Sequence, residues 1–127
     1  MFYVADTHAW VFYLLDRLPE KADAVFSRAE LGRAYVFVPT IALAECVYLV
    51  EGGKIELDLD GLFSKLRVGG NFVPAPLTID VVEKIHHVSL TEIHDRIIVV
   101  TAQVLGAEVL TRDEEIVNSG VVETIWS

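Results

Sequence analysis

Four carboxylates stand out for where they fall. Asp6 follows the apolar run Phe2-Tyr3-Val4-Ala5, and the chain is apolar again from Ala9 to Leu15. Asp113 lies in Leu110-Thr111-Arg112-Asp113, just past another apolar run. Glu45 comes early in the almost wholly apolar stretch Thr40-Ile41-Ala42-Leu43-Ala44-Glu45, and Asp95 precedes Ile97-Ile98-Val99-Val100. Each Asp has an ordinary reading: it is a favoured N-cap residue, and an acid in a first helical turn complements the helix dipole. Glu45 fits that reading less well, because an unpaired carboxylate on a buried helix is costly. Carboxylates converging on one edge of a fold repel one another and call for a cation. Oxygen ligands suit Mg²⁺ or Mn²⁺, and water activated by such an ion is the nucleophile of phosphodiester hydrolysis.

The elements that must position these acids can be read from the apolar pattern. Short strands are expected at Phe2–Ala5, Tyr35–Val38, Asn71–Val73, Ala107–Leu110 and Val121–Ile125. Helical patterns fall at His8–Leu15, Glu20–Glu30, Ile41–Val50, Leu59–Leu66, Thr78–His87, His94–Leu105 and Asp113–Asn118. Gly32, Gly52-Gly53 and Gly106 stand where helices should stop. Strands apolar on both faces, alternating with helices, predict a parallel sheet covered on both sides. The fold class is therefore α/β: a three-layer α/β/α sandwich with a central sheet of about five strands. In such sheets ligands bind beyond the carboxyl ends of the strands, and Asp6 and Asp113 fall there.

The totals narrow the function. A chain of 127 residues is expected to form one domain over 1–127 with a core of its own. The net charge of −9, from 19 acidic and 10 basic residues, argues against a simple basic nucleic-acid binder. It is compatible with an enzyme whose acidic pocket meets phosphates through a cation. No apolar run approaches the ~18 residues of a membrane span, and the first basic residue is Arg17, so neither a membrane anchor nor a signal peptide is expected. The lone Cys46 cannot pair within the chain, which fits a cytoplasmic protein.

The order Asp6-Thr7, Glu45 in an apolar helix, Asp95-Arg96 opening IIVVTAQVLGAEVLT, and Thr111-Arg112-Asp113 resembles the PIN-domain nucleases, and among them the VapC-type toxins of toxin–antitoxin pairs. The resemblance runs from Asp6 to the final VETIWS and is most specific over HDRIIVVTAQVLGAEVLTRDEEI. It implies an acidic quartet of Asp6, Glu45, Asp95 and Asp113 holding Mg²⁺ or Mn²⁺, adjacent first and fourth strands, and endoribonuclease activity. It further implies an RNA substrate and a cognate antitoxin. The chain departs from the family in two places. Some members carry a further acid where Ile116 stands here, and many place a proline just ahead of the aspartate matched by Asp95.

Neighbouring residues allow two readings. Thr7 and Thr111 are either hydrogen-bond donors to the carboxylates or turn formers, and Arg96 and Arg112 either hold a phosphate or balance charge. His8, His86, His87 and His94 have no metal-ligand spacing with cysteine and read as structural or solvated. Two other enzymes of this fold class fit badly. A haloacid-dehalogenase-type phosphatase needs an Asp where His8 stands, and a phosphoacceptor receiver needs a Lys near the fifth strand, whereas no Lys follows Lys84. A catalytically silent RNA- or partner-binding module of the same fold is the alternative from another class. Finally, Ala9–Leu15 is apolar all round, so Trp10, Tyr13 and Leu14 are expected to be covered by a second copy, as a homodimer, or by an antitoxin helix.

Overall fold

The computed structural model describes residues 1–127. Its strands are β1 (Phe2–Ala5), β2 (Tyr35–Pro39), β3 (Phe72–Ala75), β4 (Glu108–Leu110) and β5 (Thr124–Ile125). Its helices are α1 (Thr7–Leu14), α2 (Glu20–Glu30), α3 (Thr40–Glu51), α4 (Leu59–Arg67), α5 (Ile79–Lys84), α6 (Ile93–Leu105) and α7 (Glu114–Ser119), with a 3-10 turn at Ile85–His87. All strand pairs are parallel and the order is β3-β2-β1-β4-β5. The expected α/β sandwich is the fold.

Alternation along the strands sorts the core into two faces. Tyr3, Ala5, Val36, Val38 and Leu110 point toward α1, α2, α3 and α4. Val4 and Val109 point the other way, against Ile98 and Ala102 of α6. The long connection through α6 ends at Gly106, whose φ of 65° is left-handed and turns the chain directly into β4. No helix is long and apolar enough to cross a membrane.

Three expectations change. β3 runs two residues further than expected, so that Pro74 and Ala75 pair with Val38 and Pro39. Proline is tolerated there because β3 is an edge strand and needs no N–H on its open side. β5 shrinks to Thr124–Ile125 because its only neighbour, β4, is itself three residues long. α3 is only partly buried: Ala42, Leu43 and Cys46 face inward, Tyr48 is 79% exposed, and Glu45 is half-buried.

The apolar surplus on α1 is covered within the chain where it matters most. Trp10 is fully buried, against the expectation that it lies on an open face. Tyr13 stacks on Phe26 with ring centres 4.4 Å apart and on Phe72 at 5.3 Å, closing over Trp10 from α2 and β3. Lys65 of α4 lies 4.9 Å above the Tyr13 ring. Tyr13 and Leu14 remain half-buried.

Candidate active site

β1 has β2 on one side and β4 on the other, so the strand order reverses at the β1–β4 junction. Such a reversal opens a crevice beyond the carboxyl ends of the strands. Ala5 is in register with Leu110, and the Asp6 N–H donates to the Leu110 carbonyl at 3.2 Å. The two strands therefore deliver Asp6 and Thr111 side by side. The Thr111 hydroxyl donates to Asp6 Oδ2 at 2.5 Å, while Asp6 Oδ1 accepts from the Ala9 N–H at 2.8 Å as the N-cap of α1. Asp6 is thus both a cap and a wall of the crevice.

The other acids arrive from three helices. Thr111 Oγ1 also accepts from the Asp113 N–H at 3.0 Å, and Asp113 Oδ1 caps α7 by accepting from Ile116 N–H at 3.1 Å. Thr7 at the start of α1 donates its hydroxyl to Glu45 Oε1 of α3 at 2.9 Å. Asp95 sits in the first turn of α6, but Glu92 is the cap there, accepting from the His94 and Asp95 N–H groups at 2.9 and 3.3 Å. The Asp95 carboxylate itself accepts no hydrogen bond.

All four acids singled out in the sequence line one cleft of about 270 Å³, together with Glu92, His8, His94 and Arg112. Five carboxylates there face one arginine and two histidines. Asp6 is 7% exposed, and that burial raises its carboxyl pKa, with Asp113 adding to the effect. Hydrogen bonds from Thr111 and Ala9, and the charge of His8, act in the opposite sense. Asp95 is pushed up to about 6, first by desolvation and then by Asp113, Glu92, Glu115 and Asp6. Its neighbour His94 is raised chiefly by a 2.7 Å contact to Glu92, whose own carboxyl is lowered although desolvation opposes it. Beside Glu45, burial pushes the Cys46 thiol up to about 12, which removes it as a nucleophile.

Both threonines act as donors to carboxylates. Arg112 lines the cleft, whereas Arg96 does not; its Nε donates to the Leu90 carbonyl at 2.5 Å. Glu92, His94 and His8 were not singled out from the sequence as site residues. Glu92 could have been found, because it stands three residues before Asp95, the spacing that brings two side chains to one side of a first turn.

No three His, Cys, Asp or Glu side chains converge closely enough here to hold one ion. Like charges spread apart, and the inner oxygens of Asp6, Glu45 and Asp113 are engaged by Ala9, Thr111, Thr7 and Ile116. The chemistry of the donors nevertheless fits a hard divalent cation: carboxylates only, Asp95 wholly unengaged, and an excess of negative charge that a cation relieves.

The PIN-domain family model matches residues 3–120. Among solved structures, the chain resembles VapBC2 from Rickettsia felis bound to a DNA fragment from its promoter, with a TM-score of 0.73, 15% identity and full coverage of both chains. It also resembles a toxin–antitoxin complex from Klebsiella pneumoniae, with a TM-score of 0.65, 18% identity and 94% of each chain covered. FitAcB from Neisseria gonorrhoeae gives 0.58 and 19%, over 97% of this chain and 96% of that one. At these identities the likeness is one of fold. No curated protein matches the sequence significantly.

Proposed function

This chain belongs to the PIN-domain family, and we propose that it is a metal-dependent endoribonuclease, the toxin of a toxin–antitoxin pair, built as a single nuclease domain over residues 1–127. The observation that carries the reading is the meeting of Asp6, Glu45, Asp95 and Asp113 in one cleft at the reversal of the strand order. Those four carboxylates would hold Mg²⁺ or Mn²⁺. When bound, such an ion polarises the scissile phosphate and lowers the pKa of water, giving a nucleophile near neutral pH.

The chain's own residues prepare the site. Thr111 and the Ala9 N–H fix the Asp6 carboxylate in one orientation, and Thr7 does the same for Glu45. Glu92 holds the first turn of α6, and with it Asp95, by accepting two backbone N–H bonds. Arg112 is the one Lys or Arg lining the cleft, and its guanidinium would meet a phosphate oxygen of the substrate. Hydrolysis by in-line attack of water leaves 5′-phosphate and 3′-hydroxyl ends. Association with an antitoxin, and of two copies of the chain, belongs to the same proposal; the similar structures named above include toxin–antitoxin complexes.

The test is cleavage of single-stranded RNA in Mg²⁺ or Mn²⁺, with and without excess EDTA, by the parent and by Asp6→Asn. Cleavage confined to the parent with the metal is expected. Undiminished cleavage in chelator rules the mechanism out. The splayed carboxylates favour a second reading, the catalytically silent binding module, which predicts RNA or partner binding with no cleavage in any metal.

A further inference from the structure

Arg112 borders two depressions. On one side is the acidic cleft; on the other is an open groove of about 520 Å³ lined by Thr111, Arg112, Asn118, Thr124 and Trp126, with Glu114 and Ser127 also on its wall. Its size is within the range of small-ligand pockets, roughly 300–1,000 Å³. The groove is built as a shelf. The Arg112 guanidinium lies 4.8 Å from the centre of the Phe12 ring, and that ring is 5.9 Å from the ring of Trp126. Phe12 thus packs against both the arginine and the indole. Arg112 forms no ion pair with an acid, and the side-chain amide of exposed Asn118 makes no hydrogen bond within the chain.

These groups match the parts of a nucleotide. A guanidinium meets a phosphate, an indole offers a face on which a base stacks, and a free amide reads a base edge with one donor and one acceptor. We infer that the groove beside α7 and β5 is a nucleotide subsite. In it a base next to the scissile phosphate lies against Trp126 and is read by Asn118, while Arg112 bridges the groove to the acidic cleft. The inference rests on the ribonuclease reading only for the word "scissile"; the binding itself can be tested without cleavage. A net charge of −9 disfavours general affinity for nucleic acid, so binding here depends on local groups such as Arg112.

The chain has two tryptophans, and Trp10 is fully buried away from any ligand, so a ligand-induced change in emission reports on Trp126 in the groove. The experiment titrates the full chain with four homopolymeric RNA hexanucleotides in Ca²⁺, and then maps cut sites in a mixed-sequence RNA in Mn²⁺. The expected result is quenching that is strongest for one base and absent in Trp126→Phe. Asn118→Ala should reduce the preference among bases by about tenfold, within what one stacked or hydrogen-bonded base contributes. Arg112→Ala should weaken all four oligonucleotides by a similar factor. In the cleavage map, Asn118→Ala should relax the base preference at one position beside the cut.

RNA that is bound and cut with unchanged quenching in the parent and an unchanged site pattern in Asn118→Ala overturns the groove and leaves the nuclease reading standing. Selective quenching with no cleavage in any metal keeps the subsite and overturns the nuclease. Absence of both binding and cleavage overturns both. Protection of Trp126 only by a peptide partner assigns the groove to protein docking and overturns the inference.

Discussion

Replacing Asp95 by Asn should stabilise the protein in chelator, contrary to what removal of an acid from a first helical turn ordinarily does. The Asp95 carboxyl is raised from 3.8 to about 6. Each pKa unit corresponds to about 1.4 kcal/mol, so a fully buried group would carry roughly 3 kcal/mol of destabilisation when ionised. Asp95 is partly exposed, and solvent screening reduces the figure to ~1 kcal/mol. The carboxylate accepts no hydrogen bond, so Asn sacrifices none. For a chain of this size, ~1 kcal/mol raises Tm by roughly 3–5 °C.

The sign with pH follows from the folded-state value lying above the unfolded one. The folded state binds the proton more tightly, so the penalty is fully present above about pH 6 and disappears as the pH falls toward 3.8. The melting curves of parent and variant in EDTA should therefore be separated at pH 8 and converge by about pH 4. Mg²⁺ should narrow or reverse the separation, because the parent keeps a ligand that the variant lacks. A variant that melts below the parent in EDTA at pH 8 refutes the reasoning. It would mean that Asp95 serves the helix dipole, an effect of about 0.3–1 kcal/mol in the opposite sense.

Asp6→Asn should keep the cap on α1, since Asn caps about as well as Asp, while RNA cleavage falls by orders of magnitude; a folded variant with near-parental cleavage would reduce Asp6 to a cap. Thr111→Val removes both the donor to Asp6 and the acceptor for the Asp113 N–H at a fully buried position, and urea unfolding should show a loss of ~2 kcal/mol; a change near zero would contradict the account of that pair. Trp10→Ala should cost about 3–5 kcal/mol in the same assay because the ring fills the core, whereas a marginal change accompanied by altered self-association would restore it to an interface.

The sequence carries the architecture because its local signals agree. Apolar strands give way to Asp6 and Thr111 and stop at Pro39, Gly106 stops the long α6 where β4 must begin, and α2 falls on Glu20–Glu30 as expected. What it carries poorly is which apolar face meets which. The surplus on α1 is as compatible with a partner as with Tyr13, Phe26 and Phe72 closing over Trp10, and only the packing of α2, α4 and β3 decides. The same holds at the acids. Position after a strand marks Asp6 and Asp113, but a capping role and a place in the cleft are indistinguishable until the strand order puts both side by side, and the structure gives them both. Glu92 carries little signal in the sequence because Glu is an uncommon N-cap.

The most direct test of the central claim is Mn²⁺ binding, followed by electron paramagnetic resonance, to the parent and to Asp6→Asn, Glu45→Gln, Asp95→Asn and Asp113→Asn. A bound ion is expected in the parent and weaker binding in each of the four variants, with Glu123→Gln, which lies outside the cleft, unchanged. Equal Mn²⁺ affinity in the parent and all four variants would contradict that claim.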